Sequence, residues 1–137
     1  MVAVADRPAG PGAGPGRRPL SEQPDPFNLR RFVEAQSGGV YEQALAELRA
    51  GRKQTHWMWF IFPQQRDLGR SDMARFYGLS GPEEAAAYLA HPLLGPRWHE
   101  SVAAVEAHRQ AGKSLESIFG EVDAMKYRSS LEIFGAG

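Results

Sequence analysis

Two groups of cationic and hydroxyl side chains are the strongest candidates for chemistry in this chain of 137 residues. The first group contains Arg70, Ser71, Arg75 and Tyr77, and the second contains Lys126, Arg128, Ser129 and Ser130. Guanidinium forks and ammonium groups bind phosphate and carboxylate through charge-assisted hydrogen bonds. If the fold brings the two groups together, the sequence predicts a site for an anionic, nucleotide-like small molecule.

The arginines also have a simpler interpretation. Arg70 and Arg75 lie close in sequence to Asp67 and Asp72, with which they can form exposed salt bridges. For an arginine taken singly, such surface pairing is the more frequent role, and it contributes little to stability. The binding hypothesis therefore depends on convergence of the cationic side chains in space.

An aromatic run from His56 to Gln64, with the sequence HWMWFIFPQ, can supply one wall of such a site. Its simplest role is core, because each large aromatic side chain brings about 150–250 Å² of surface that folding can bury. An aromatic surface edged by hydrogen-bonding groups also suits a planar ligand. We therefore predict that His56, Trp57, Trp59 and Gln64 line the site.

The histidines give little support to metal chemistry. His99 and Glu100 begin like the metalloprotease motif HExxH, but Ala103 stands where the second histidine is required. His91 precedes Pro92 at the end of a predicted helix, where capping explains it, although it stays among the predicted ligand-binding residues. The chain has no cysteine, phosphate-binding loop or nucleophile elbow. We predict no metal and no cofactor, and the sequence leaves open whether the protein is an enzyme.

Composition argues against several classes of partner. Sixteen Lys and Arg balance sixteen Asp and Glu, so no excess charge draws the chain to nucleic acid or to an anionic membrane. The longest apolar stretch, from Trp57 to Phe62, is far shorter than the roughly 20 residues of a membrane span. The N-terminus lacks the basic and apolar regions of a secretory signal. We expect no membrane or nucleic-acid partner and a cytoplasmic location.

The elements that must position these groups are predicted to be helices. Residues 1–24 hold five of the ten prolines and are predicted to be a disordered tail, followed by a single domain at 25–137. Apolar residues recur at helical spacing between glycines and prolines, without the alternation typical of strands. We predict an all-α fold, a compact single-domain bundle of about six short helices. The predicted helix starts are at Asp25, Ser71, Ser80 with Glu83 as a capping box, Ser114 and Asp123.

The aromatic run fits a helix or a strand equally well by periodicity, because nearly every position is apolar. A single strand among helices would leave its backbone groups without hydrogen-bond partners. We therefore predict helical turns that end at Pro63, with Trp57, Phe60 and Ile61 facing the core.

Several segments of the sequence resemble the bacterial family known as domain of unknown function 1810. The segments are HWMWFIFPQ at 56–64, LGRS at 68–71, ARFYG at 74–78, AYLAHPLLGPR at 87–97 and DAMKYRSS at 123–130. The resemblance covers residues 25–134 and implies a compact, mainly helical cytosolic domain without an established activity. Some relatives carry the label calpastatin, which describes a disordered inhibitory repeat and does not suit this patterned globular sequence.

The pattern of that family continues past the segment 131–134 with a further helical stretch, whereas this chain ends at Gly137. If the stretch normally covers the apolar side of residues 125–134, we expect the surface left here to favour self-association or instability. Two functions therefore remain as hypotheses. The first is a pocket for an anionic small molecule, and the second is a helical module that binds a protein partner.

Overall fold

A computed structural model describes residues 24–135, and it confirms the all-α prediction. Within that range no strand forms, and an isolated parallel bridge joins Gln65 to Leu79. No helix in the described range is long and apolar enough to cross a membrane. The α-helices in the described range are α1 (Arg30–Ala35), α2 (Val40–Ala50), α3 (Met58–Ile61), α4 (Asp72–Phe76), α5 (Pro82–Ala90), α6 (Leu94–Gln110), α7 (Leu115–Phe119) and α8 (Glu121–Ile133), with a 3₁₀ turn at Arg66–Leu68.

The predicted tail at 1–24 lies outside the described residues except for Pro24. Residues 24–30 and residues 31–135 belong to two separate units of the chain.

In the first unit, the Asp25 carboxylate accepts the N–H groups of Leu29 and Arg30 at 2.7 and 3.0 Å. Because residues 26 and 27 form a turn and α1 begins at Arg30, the helix start predicted at Asp25 was too early.

Serine caps begin two of the short helices, as the sequence predicted. The Ser71 hydroxyl accepts the Ala74 N–H at 3.0 Å, and the Ser114 hydroxyl accepts the Ser117 N–H at 3.1 Å. Each bond satisfies one of the N–H groups that a first helical turn leaves unpaired.

The capping box predicted for Ser80 and Glu83 does not form, because Gly81 is the N-cap residue of α5 and no side chain caps it. α5 begins at Pro82 as expected, but Glu84 accepts the backbone N–H and the hydroxyl of Ser80, at 2.8 and 2.9 Å.

The start predicted for α8 at Asp123 was too late. This helix begins at Glu121, so Asp123 lies within its first turn.

The aromatic run forms α3 and the centre of the core in residues 31–135. Trp57, Phe60 and Ile61 are buried as predicted, and Phe62 is fully buried as well. The ring of Phe62 meets Tyr127 of α8 edge-on, with ring centres 4.9 Å apart, which is a favourable aromatic geometry. Around this centre α6 packs against α2, α5 and α7, and α8 packs against α3 and α7.

Glu47 of α2 holds the start of the aromatic run in place. Its buried carboxylate accepts hydrogen bonds from the Gln43 amide at 2.9 Å, the Gln54 N–H at 2.7 Å and the Thr55 N–H and hydroxyl at 3.0 and 2.7 Å. It also accepts the indole N–H of Trp57 at 2.9 Å. A buried charge is tolerated because all of these donors replace the water it has lost.

These donors change the acidity of Glu47. Burial acts to raise the pKa of the carboxyl, but the hydrogen bonds from Gln43, Thr55 and Gln54 outweigh it and lower the pKa from 4.5 to about 2. Because the pKa is depressed in the folded state, the stabilisation is present above pH 4.5 and is lost as the pH falls towards 2.

We predict that Glu47→Gln lowers the free energy of unfolding at pH 7 by about 2–3 kcal/mol, since it disrupts charge-assisted hydrogen bonds to buried donors. The difference from the native chain should shrink between pH 4.5 and 2, where the native carboxylate becomes protonated. Urea unfolding at a series of pH values measures both effects. Glu42→Gln, an exposed change on the same helix, should cost less than about 0.5 kcal/mol. A difference that does not vary with pH would contradict the assigned role of Glu47.

Candidate functional site

A cleft of about 320 Å³ opens beside the aromatic run. Its walls come from α3, from the segment 64–77 and from α8. The residues that line it are Trp59, Gln64, Gln65, Leu68, Gly69, Arg70, Ser71, Ala74, Tyr77 and Lys126. The structure thus brings together four of the residues predicted from the sequence, namely Trp59, Gln64, Tyr77 and Lys126.

The segment from Gln64 to Leu79 forms one wall of the cleft and closes on itself. The Arg66 N–H donates to the Leu79 carbonyl and the Leu79 N–H donates to the Gln64 carbonyl, both at 2.8 Å. Gly78, the residue before Leu79, makes this approach possible, because a Cβ added there would lie 2.4 Å from the Cα of Arg66. The 3₁₀ turn and α4 lie between the two paired ends.

A buried ion pair holds the far end of this segment. Arg31 donates to the carbonyls of Phe76 and Gly78 at 2.8 and 3.1 Å, and to the Glu84 carboxylate at 2.8 Å. The Arg31 and Glu84 side chains are only 5% and 1% exposed. Removing one partner of such a pair leaves an uncompensated buried charge. The pair therefore fixes the position of the cleft wall relative to α5.

Tyr77 connects the cleft to the core. Its half-buried ring lies 5.4 Å from the ring of Phe60 and 5.8 Å from the ring of Phe32, measured between centres. These contacts orient the ring from behind while one side of the residue lines the cleft. Tyr77 therefore provides a rigid part of the wall.

Trp59 and Lys126 form the most distinctive contact in the cleft. The Lys126 ammonium lies 5.7 Å from the centre of the Trp59 ring, within the range of a cation–π interaction. Asp123 lies 3.6 Å from this ammonium, and its other oxygen pairs with Lys53 at 3.1 Å. Asp123 shares its single negative charge between Lys53 and Lys126. The positive charge of Lys126 is therefore only partly compensated and can still attract an anion in the cleft.

The charge of the cleft has one sign. Arg70 and Lys126 both line it, and none of its described lining residues is acidic. Within residues 24–135 the guanidinium of Arg70 has no ion-pair partner, and the side-chain amide of Gln64 has no hydrogen-bond partner. This neutral chain therefore concentrates two cations and free polar groups beside an indole ring.

His56 and Trp57 lie elsewhere. They border a second cleft of about 290 Å³, together with Thr55 and the turn at Gly38 and Gly39. Trp57 is 1% exposed and its indole N–H is used by Glu47, so its ring belongs to the core. The two residues at the start of the aromatic run are thus separated from Trp59.

Three further predicted residues have structural partners away from the cleft. Arg75 pairs with Asp72 at 3.1 Å, and Arg128 pairs with Glu116 at 3.0 Å, all with exposed side chains. The salt-bridge interpretation is therefore correct for Arg75. His91 accepts the N–H groups of two residues at the start of α6 through Nδ1, at 3.1 and 3.2 Å, and so acts as a helix cap.

Ser129 borders a third cleft, which shares Gln65 and Leu68 with the cationic one. Sequence reasoning did not select Gln65 or Leu68 as lining residues. Gln65 follows directly after the aromatic run, but Leu68 carries no signal that distinguishes it from a core leucine. No group of three or more His, Asp or Glu side chains in the range 24–135 is arranged to hold a metal ion.

These observations define an all-helical protein with a small cationic cleft beside a half-buried tryptophan. The chain belongs to the family described as Protein of unknown function (DUF1810), whose sequence pattern matches residues 26–137. The family resemblance seen in the sequence motifs is thereby confirmed. No curated protein matches the chain significantly.

A solved structure is similar to this chain over most of its length. It is the crystal structure, at 1.38 Å, of the conserved hypothetical protein Rv1873 from Mycobacterium tuberculosis. The two sequences are 54% identical, and the match covers 81% of this chain and 77% of the other with a TM-score of 0.76. Neither the family description nor the name of this neighbour mentions calpastatin.

We predict that Gly78→Ala destabilises the protein by roughly 1–3 kcal/mol, because the new methyl group must push the backbone of Arg66 away. The backbone bonds that close the segment 64–79 should weaken, and amide hydrogen exchange at Arg66 and Leu79 should accelerate. Gly81→Ala is the matched control, since a Cβ there meets nothing closer than 3.7 Å. Equal effects of the two substitutions would contradict the close-approach explanation.

Proposed function

We propose that this protein binds an anionic small molecule with a planar ring, of the kind that a nucleotide presents, in the cleft lined by Trp59 and Lys126. The observation that carries the proposal is the juxtaposition of Trp59, Arg70 and Lys126 in one cleft whose described lining residues include no acidic side chain. We propose that the protein binds this ligand in the cytoplasm.

The side chains suggest how the ligand is held. The indole of Trp59 is half-buried and lines the cleft, where the ring of a ligand can pack against it. The guanidinium of Arg70 and the ammonium of Lys126 attract phosphate or carboxylate oxygens through charge-assisted hydrogen bonds. The Gln64 amide supplies both a donor and an acceptor for ring substituents. A combination of an apolar wall with few polar groups is typical of small-molecule sites.

The volume of the cleft restricts the ligand. At about 320 Å³ it lies near the lower end of the range of roughly 300–1,000 Å³ typical of ligand pockets. This size suits a ligand as small as a nucleotide. The proposal concerns binding, and it assigns no catalytic step to the lining residues.

A second candidate is an interaction module that associates with a copy of itself. Val122 and Met125 of α8 are 67% and 66% exposed, so this helix presents apolar surface to solvent. Phe134 is covered instead, since its ring packs 4.7 Å from Trp98 and 5.3 Å from Tyr88 between centres. Any self-association is therefore proposed to involve the first half of α8.

We predict that at least one of ATP, ADP, AMP or UMP raises the melting temperature in a thermal-shift assay. A ligand present at 100 times its Kd stabilises the folded state by about 2.7 kcal/mol. Arg70→Gln and Lys126→Gln should each weaken binding of that ligand by about tenfold or more, since each removes a charge-assisted contact worth about 1.5–3 kcal/mol.

The chain offers matched controls for both variants. Arg75→Gln removes an exposed arginine of the same segment, and Arg128→Gln removes a cation two residues further along α8, and neither residue lines the cleft. Both controls should bind the ligand with unchanged affinity. Absence of stabilisation by every compound in folded protein, or equal loss in controls and cleft variants, would overturn the proposal.

The second candidate predicts a dimer that size-exclusion chromatography with light scattering detects at high concentration. Met125→Gln should shift the species towards the monomer, because it removes exposed apolar surface that association would bury. Met73→Gln, a similar change at an exposed methionine of α4, should have no effect. A single monomeric species at all concentrations would remove the support for this candidate.

A further inference from the structure

A third cleft lies directly against the cationic cleft. Its volume is about 360 Å³, and Gln65 and Leu68 line both clefts. The remaining wall comes from the start of α5 and from the last turns of α8. Two residues are common to both linings, so the clefts adjoin at Gln65 and Leu68, and we call the pair the groove.

Leu68 marks the boundary between the two parts. It ends the 3₁₀ turn, and its side chain is 59% exposed although it is flanked by a cleft on each side. A ligand that occupied one cleft would leave this apolar surface partly in water. A ligand that spanned both would cover it, and burial of apolar surface favours binding.

α8 runs along both parts of the groove. It contributes Lys126 to the cationic cleft, and Ser129 and Glu132 to the third cleft. Each step of three residues turns about 60° around a helix, so the lining shifts around α8 from Lys126 through Ser129 to Glu132. Six residues of helix separate Lys126 from Glu132, which corresponds to about 9 Å along the axis. Along α8, the groove therefore has the cation of Lys126 towards one end and the carboxylate of Glu132 towards the other.

The polar groups of the third cleft differ from those of the first. Within the described part of the chain, the carboxylate of Glu132 has no ion pair and no side-chain hydrogen bond, and neither has the hydroxyl of Ser129. A carboxylate accepts hydrogen bonds from hydroxyl groups and repels phosphate. The third cleft therefore suits a neutral group with several hydroxyls.

We propose that the two clefts together bind a nucleoside diphosphate joined to a sugar. The base stacks on Trp59, the diphosphate lies between Arg70 and Lys126, the linkage crosses Leu68, and the sugar hydroxyls donate to Glu132 and Ser129. This inference rests on the proposed function of the cationic cleft and names its ligand class. Joined, the two volumes fall well inside the range of about 300–1,000 Å³ expected for a ligand pocket.

Isothermal titration of the full chain with two matched pairs of compounds tests the proposal. The pairs are ADP with ADP-glucose, and UDP with UDP-glucose. In at least one pair the glucose derivative should bind about tenfold or more tightly than the diphosphate, which corresponds to one or two added hydrogen bonds. Glu132→Ala should reduce the affinity for that glucose derivative to the affinity for the diphosphate, without changing the latter.

Variants at exposed positions keep the test independent of folding. Glu34→Ala removes an exposed carboxylate of α1 that lines neither cleft and should leave both affinities unchanged. Ser129→Ala should act like Glu132→Ala but more weakly, because it removes a single hydroxyl. Circular dichroism and the urea midpoint of each variant establish that it is folded.

The outcomes separate the two proposals. If a diphosphate binds in a way that depends on Lys126 and its glucose derivative binds no tighter, the groove proposal is overturned while the cationic cleft stands. The same conclusion follows if the gain from glucose persists in Glu132→Ala, or if another anionic compound binds and none of the four does. If no anionic compound binds the folded chain, both proposals are rejected.

Discussion

The hydrogen bonds that Glu47 accepts are the constraint on which the rest of the structure depends. They connect α2 to the backbone of Gln54 and Thr55 and to the indole of Trp57. Since Trp57 is fixed in the core, the chain enters α3 in one orientation. Trp57 is the N-cap residue of α3 and Trp59 lies within the helix, and the two side chains differ in environment, Trp57 in the core and Trp59 at the cleft. A single buried carboxylate thereby determines which tryptophan packs and which remains accessible to a ligand.

The helical fold was largely predictable from the sequence, because its signals are local. Ser71 and Ser114 cap helices, and Pro63 follows the end of α3, as the sequence indicated. The ion pair between Arg31 and Glu84 could not be predicted in this way, since it joins residues 53 positions apart. Nothing local distinguishes a buried charge with a distant partner from an exposed one. Glu84 lies in the first turn of α5, where acidic residues are common, yet it is buried and paired.

The candidate site was predictable only in part, for a geometric reason. Lys126 and Arg128 are neighbours in sequence, yet a separation of two residues on α8 turns them to different sides, where Lys126 meets Trp59 and Arg128 meets Glu116. Residue type and proximity in sequence therefore identified the chemistry of the cleft but not all of the residues that line it. The set of lining residues depends on how the segment 64–79 folds back on itself. That folding requires the close approach of Gly78 to Arg66.

The unequal burial of the three tryptophans gives the protein a built-in optical reporter. Trp57 and Trp98 are 1% and 2% exposed, whereas Trp59 is half-buried at the wall of the cleft. Water reaches mainly the indole of Trp59, so quenchers added to the solvent should act chiefly on its emission. A change in the emission spectrum on adding a compound would therefore report the state of the cleft in the unlabelled native chain.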